Sequence, residues 1–296
     1  MSDLNVMRLE ESSEVWGGAW TEKKLDAFSK YVDAYLAILH RHPYWQTIYF
    51  DGFAGSGSRK DRKSPQYEQL LITLEEERVY KGAAERVLRL HNSFDYYYFI
   101  DKQKSLDKLQ AKLSGLPEAK DKTLVFREND CNKELRRLAH AMQSDDFAAL
   151  VLLDPFGMDV EWDSIASLKE TRTDIWILLP TGVIVNRLLD RAYKLSHIER
   201  LEQFFGLPEE EIKAEFYKES AQINLFGEES KLVSKVENSI HHVAELYIRQ
   251  LKSVWNYVTE IPLVLRNSRN VPIYHFVFAS NNQTARKIAE EIIRSI

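Results

Sequence analysis

The sequence predicts an α/β protein in which a mostly parallel β-sheet is covered by helices on both faces. Short apolar segments alternate with longer segments whose apolar residues recur at helical spacing. The short segments are apolar almost throughout, as strands buried on both faces are. Near the end of the chain, two further apolar segments, 257–266 and 273–279, flank a polar turn and predict an antiparallel edge to the sheet.

The predicted elements follow one another in a regular order. A helix begins with Thr21 as its N-cap and ends before Pro43, because its apolar residues share one face and proline blocks continuation. Trp20, Lys23 and Lys24 at its start could reach a cofactor, but we expect Lys23 and Lys24 to face solvent. A second helical stretch is predicted over 64–90. Strands are predicted at 47–50, 94–100, 123–127, 148–153 and 174–179, with helices at 102–113 and 132–142 between them.

The domain organisation follows from a change of pattern after the fifth strand. Residues 183–232 are charged and helical in pattern, so we predict an inserted helical subdomain there. Residues 1–182 then supply the N-terminal helix and the main part of the sheet domain. Residues 233–296 complete that domain with helices at 233–251 and 283–293 and the antiparallel strands.

Composition narrows the class of protein. The chain has 296 residues and a formal net charge of −5. It therefore lacks the overall positive charge that favours tight non-specific binding to nucleic acid. One cysteine, Cys131, excludes an internal disulfide and a cysteine-rich metal site. The eight histidines show no zinc spacing, so no metal is expected. Without a signal-peptide pattern or a long apolar run, we expect a soluble cytoplasmic protein with no membrane contact.

A glycine-rich turn directly follows the first predicted strand. Its order, Asp51-Gly-Phe53-Ala54-Gly55-Ser-Gly57, lets backbone N–H groups approach a ligand that side chains would hold off. A phosphate-binding P-loop needs Lys and Ser or Thr after the last glycine, and a dinucleotide fingerprint needs a third spaced glycine; neither is present. The pattern resembles the first motif of S-adenosylmethionine (SAM) dependent methyltransferases. A structural turn in an ordinary α/β domain is the alternative.

Polar residues collect where the predicted strands end. Because ligands bind along the carboxyl edge of open α/β sheets, these residues predict a site there. For two of them, Asp101 and Asp130, capping of the following helix is an equal alternative. The set consists of Asp51, Asp101, Asp130, Asp154 and Thr181.

The fourth strand ends in a second informative motif, Asp154-Pro155-Phe156-Gly157. An Asp beside a rigid proline can accept hydrogen bonds from an exocyclic base amine, and an aromatic ring can stack on the base. The motif resembles the Asp-Pro-Pro-Tyr/Phe signature of amino-methyltransferases, without its second proline. It is closer to the Asp-Pro-Phe/Tyr-Gly of tRNA guanine-N2 dimethyltransferases. A plain turn with a buried phenylalanine is the alternative.

Taken in order, the separated motifs at 20–24, 49–57, 153–157, 224–227 and 274–279 resemble the three-Cys-motif partner proteins (TcmP). That resemblance implies a Rossmann-like, SAM-dependent methyltransferase sheet with an antiparallel last strand. It also implies a protein partner, a radical-SAM-like protein that bears a three-cysteine motif. It names no substrate.

We therefore expect a SAM-dependent methyltransferase that acts on an exocyclic or ring nitrogen of a base in RNA or DNA. Asp154, Pro155 and Phe156 would orient the acceptor. The alternative is an accessory module that keeps the fold but does not methylate; a closed path to Asp154 would favour it. The residues expected to hold SAM are Asp51, Phe53, Ala54, Gly55 and Gly57 at its methionine end, Asp101 at the ribose, and Asn129 or Asp130 at the adenine.

Overall fold

The computed structural model describes residues 19–55, 82–101, 106–155, 157–189, 195–223, 229–267 and 269–296. Two predicted site residues, Gly57 and Phe156, lie outside these ranges, as does the motif at 224–227. Of the helical stretch predicted over 64–90, residues 82–88 are described and are helical.

An eight-stranded sheet in the described residues forms the centre of the fold. Its order is β3-β2-β1-β4-β5-β10-β8, and β9 also pairs with β10. Strands β1 to β5 are parallel, and β10 runs antiparallel to β5, β8 and β9. The strands are β1 Gln46–Asp51, β2 Tyr96–Asp101, β3 Thr123–Glu128, β4 Phe147–Leu153, β5 Thr173–Leu179, β8 Tyr257–Val258, β9 Leu263–Arg266 and β10 Pro272–Ser280.

The predicted fold class is confirmed: the protein is α/β, with a mostly parallel sheet and an antiparallel end. This arrangement is consistent with a Rossmann-like, methyltransferase-type fold. The predicted strand 257–266 is two strands, β8 and β9, because Pro262 has no N–H to donate to a continuous ladder.

Helices cover both faces of the sheet. One layer contains α1, residues 82–88, α2 and α9, and the other contains α3 to α8. Along β4, Leu150 and Leu152 face the first layer, whereas Val151 and Leu153 face the second. The helices are α1 Ala19–Leu39, α2 Leu106–Ser114, α3 Cys131–Ala141, α4 Trp162–Ala166, α5 Thr181–Arg187, α6 Ile198–Phe205, α7 Glu209–Phe216, α8 Ser239–Leu251 and α9 Gln283–Arg294.

The prediction of helix throughout 183–232 is wrong in part. After α7 the chain forms an antiparallel hairpin, β6 Tyr217–Ile223 with β7 Glu229–Lys235. Its alternating charged and apolar residues resemble a solvated helix in sequence, but cross-strand pairing decides the structure. Because β7 extends to residue 235, the helix predicted from residue 233 begins only at Ser239.

A half-buried carboxyl group, that of Asp174, lies at the amino end of β5, away from the predicted site. Asp174 accepts a 2.6 Å hydrogen bond from the Tyr31 hydroxyl of α1. Burial raises the pKa of Asp174 to about 6, although hydrogen bonds from Ser280 and Tyr31 oppose this shift. Asp174 therefore connects α1 to the sheet at the edge opposite the predicted ligand site.

Candidate functional site

The sheet order brings the predicted polar residues into one row. Asp51 and Asp101 end β1 and β2, Asp130 comes two residues after β3, Asp154 directly follows β4, and Thr181 begins the helix after β5. Strands β2 and β3 lie on one side of β1, whereas β4 and β5 lie on the other. The order in which strands are added to the sheet therefore reverses between the parallel strands β1 and β4, which is where open α/β sheets bind ligands.

The turn after β1 is attached to both neighbouring strands. Gly52 donates its N–H to Leu152 of β4 at 3.0 Å, and Ala54 donates to Ile100 of β2 at 2.9 Å. A Cβ at Gly52 would lie 2.6 Å from the Cys131 sulfur and 2.7 Å from a Leu153 methyl group. Gly52 is therefore required by packing, a role that our sequence analysis did not assign to it.

Asp51 is held in place from two sides. Its side chain is buried, and its Oδ1 accepts the N–H of Phe53 at 3.2 Å. Its Oδ2 accepts the hydroxyl of Tyr49 at 3.1 Å. Burial, and then the charge of Asp51, raise the pKa of Tyr49 well above its ordinary value, so the hydroxyl stays a donor. Tyr49 was missed as a site residue, although its i, i+2 position on β1 puts it on the same face as Asp51.

Asp154 forms a buried ion pair with Lys24. The Lys24 Nζ lies 2.5 Å from the Asp154 Oδ2, and the two side chains are only 5% and 6% exposed. The prediction that Lys24 faces solvent is therefore wrong, while Lys23 is exposed as expected. Lys24 lies one and two turns before Phe28 and Tyr31 on the apolar face of α1, and that spacing was a usable signal.

An aromatic pair lies beside this ion pair. The Lys24 Nζ is 5.8 Å from the centre of the Trp20 ring, within the range of a cation–π contact. The Trp20 ring in turn stacks on Tyr274 of β10, with 5.5 Å between ring centres. The first turn of α1 is thereby placed over the carboxyl edge of the sheet, next to Asp154.

The residues after β3 have local roles. Asp130 caps α3, because its Oδ1 accepts the N–H groups of Asn132 at 2.9 Å and Lys133 at 3.2 Å. Asn129 accepts the Asp130 N–H at 2.9 Å and donates to Glu134 at 2.5 Å. The capping alternative is thus correct for Asp130. Asn129 keeps one amide hydrogen beyond these two bonds.

The remaining predicted residues differ in their surroundings. Pro155 is buried directly after Asp154, and Asp101 is half-buried. Thr181 is buried, and its hydroxyl lies 2.8 Å from His275 Nδ1. Burial, and then His241, lower the pKa of His275 to about 4, so its ring is neutral near pH 7. Thr181 therefore joins β5 to β10.

The described residues contain neither a cluster of metal ligands nor a membrane-spanning helix. Among them, no group of three His, Cys, Asp or Glu side chains is arranged to hold a metal ion. No helix in the same parts of the chain is long and apolar enough to cross a membrane.

Comparisons with known proteins add little. No family model and no curated protein matches the chain. Among solved structures, protein LPL1258 from Legionella pneumophila, assigned to the family model DUF519, is 13% identical with a TM-score of 0.36. The match covers 88% of this chain and 97% of that one. A likeness of this size supports no argument about activity, so function must be argued from the site.

Proposed function

We propose that the protein is a SAM-dependent methyltransferase that acts on a nitrogen of a nucleic-acid base. The observation that carries this proposal is the placement of Asp51 and Asp154 at the carboxyl ends of β1 and β4, the two parallel strands between which the strand order reverses. Both carboxylates are buried and turned toward the α1 side of the sheet. The two carboxylates would each serve one of two ligands that must meet.

The chain's donor and acceptor groups fit the cofactor. Asp51 would accept the ammonium group of the methionine end beside the close turn at Phe53, Ala54 and Gly55. Asp101 would accept the ribose hydroxyls, and the remaining amide hydrogen of Asn129 would donate to a ring nitrogen of adenine. When bound, SAM supplies a methyl group on a positively charged sulfur, already activated for transfer.

On the acceptor side, the chain's contribution is alignment. Asp154 would accept a hydrogen bond from the base amine and so turn the nitrogen lone pair toward the methyl group. As the base nitrogen took the methyl group from the cofactor's sulfur, with S-adenosylhomocysteine as the leaving group, Asp154 or water would accept the amine proton. Pro155 would keep the backbone beside Asp154 rigid.

The test separates cofactor binding from transfer. Calorimetric titration with SAM should show binding to the wild type and to Asp154→Ala. Transfer of labelled methyl groups to total RNA or DNA should disappear in Asp154→Ala. Asp107→Ala, at an exposed position of α2, is the matched control. Loss of SAM binding together with transfer in an Asp154→Ala variant that is folded by thermal melt would contradict this division of roles.

One observation favours a second candidate, an accessory module for the radical-SAM-like protein with the three-cysteine motif. Asp154 is 6% exposed and already paired with Lys24, so an acceptor has no direct access to it. This candidate expects a stable complex with that partner and no methyl transfer to nucleic acid, with or without the partner. Mixing the two purified proteins in both the binding and the transfer assays decides between the candidates.

A further inference from the structure

We propose that Lys24 is a positioning residue that couples the cofactor to the acceptor site, an inference that rests on the proposed methyltransferase function. Its ammonium group occupies the place on Asp154 that an acceptor amine would take. Lys24 would leave Asp154 for the carboxylate at the methionine end of a bound cofactor, and Asp154 would then be open to the acceptor.

The Lys24 ammonium and an acceptor amine are chemically alike. An acceptor amine would donate an N–H to Asp154, and the Lys24 ammonium already does so at 2.5 Å. Within the described part of the chain, Lys24 is the hydrogen-bond donor recorded for this carboxylate. Asp51, in contrast, receives two donors from Tyr49 and Phe53. The Lys24 ammonium therefore occupies Oδ2, and because the pair is almost fully buried, an acceptor amine reaches this carboxylate only if Lys24 moves.

The buried charges of Lys24 and Asp154 also limit when the pair can separate. Lys24 and Asp154 are both buried, and each is the charge partner of the other. A buried charge without a partner is costly, so Lys24 can leave Asp154 only when another anion replaces it. A ligand with an amino-acid end supplies both groups, because its ammonium matches Asp51 and its carboxylate matches Lys24.

The Lys24 side chain is long enough to change partners. The Lys24 ammonium sits at the end of a flexible four-carbon stem on the first turns of α1, so it can change partners by side-chain rotation. The Trp20 ring, 5.8 Å from Nζ, provides a surface along which a cation can move without full exposure to water. No shift of the sheet is required.

The experiment uses two ligands that differ only at the relevant end. S-adenosylhomocysteine has the amino-acid end, whereas 5′-methylthioadenosine lacks it. Both are titrated calorimetrically into the wild type, Lys24→Met, Lys24→Arg, Asp154→Asn and the control Lys23→Met, whose side chain is exposed. Thermal melts identify any variant that is not folded at the titration temperature.

The expected pattern has two signatures. Lys24→Met lowers the affinity for S-adenosylhomocysteine by about tenfold or more and changes that for methylthioadenosine less than about twofold, as loss of one charged hydrogen bond implies. Lys24→Arg retains most of the difference in affinity between S-adenosylhomocysteine and methylthioadenosine. Lys23→Met binds both ligands as the wild type does. Asp154→Asn binds S-adenosylhomocysteine several-fold more tightly, because Lys24 no longer leaves a carboxylate.

The outcomes that overturn the inference differ from those that overturn the proposed function. If Lys24→Met weakens both ligands equally or neither, and Asp154→Asn gains nothing, the ion pair is structural and the inference fails. If neither ligand binds the folded wild type, the proposed cofactor itself is wrong. Should Lys24→Met not fold, the Asp154→Asn result decides, since that variant keeps the lysine.

Discussion

The ammonium group of Lys24 and the carboxylate of Asp154 lie 2.5 Å apart, although 130 positions separate the two residues in the chain. This contact fixes the start of α1 against the end of β4. Since both side chains are almost fully buried, each would leave an uncompensated charge if the other were removed.

The stability of single and double variants should therefore be strongly non-additive. We expect Lys24→Met alone to lower the free energy of unfolding by roughly 3–5 kcal/mol, whereas Lys24→Met with Asp154→Leu should lose much less. Urea denaturation of the wild type, both single variants and the double variant gives the coupling energy. Additive effects would show that the two charges do not depend on each other.

Replacing Tyr49 by Phe should weaken the support of Asp51. The variant removes the hydroxyl that donates to Asp51 Oδ2 while keeping the buried ring. We expect a loss of roughly 1–3 kcal/mol of unfolding free energy, because a buried charged acceptor loses a donor. Urea denaturation measures it, with Tyr44→Phe as a control at a site that is 63% exposed. Equal effects of the two variants would contradict the prediction.

Two glycines near the site should respond differently to a methyl group. Gly52→Ala places a Cβ 2.6 Å from the Cys131 sulfur, so we expect a loss of about 1–3 kcal/mol from overpacking. The Cβ of Gly157→Ala meets no atom of the described residues within 4 Å, so this variant should stay within about 0.5 kcal/mol of the wild type. Thermal or urea unfolding of both variants compares them directly. A neutral Gly52→Ala would mean that the turn can move away from α3.

The half-buried Asp174 predicts a pH dependence of stability. Its pKa is raised to about 6, so its contribution is fully present below the ordinary carboxyl pKa and is lost as the pH rises through 6. Relative to Asp174→Asn, the wild type should lose up to about 3 kcal/mol between pH 4 and pH 7. Urea denaturation at several pH values gives this difference. A constant difference between the two proteins would show that Asp174 does not titrate in this range.

The sequence predicts the strands well because their signal is local. Segments such as 47–50 and 148–153 are apolar and bounded by turn residues, so the pattern predicts both the strand and the place where it ends. The row of polar residues at the carboxyl edge is predictable for the same reason, since parallel strands all end on one side of the sheet.

Other features depend on contacts between distant segments and were not predicted. Lys24 was assigned to solvent by residue type, yet its spacing with Phe28 places it on the buried face of α1. The β6 and β7 strands exist through pairing with each other, which a local charge pattern does not reveal. Similarly, the need for glycine at position 52 arises from Cys131, which lies far along the chain.

Because Cys131 packs beneath Gly52, the alkylation rate of its thiol can be used to follow local opening near the turn after β1. Cys131 is the chain's single cysteine, 3% exposed, and it begins α3 directly below the turn after β1. Alkylation of its thiol requires local opening, so the labelling rate reports how often this region opens. A small molecule that stabilises the turn should slow alkylation, whatever its chemical nature, and this gives a screen that presupposes no activity.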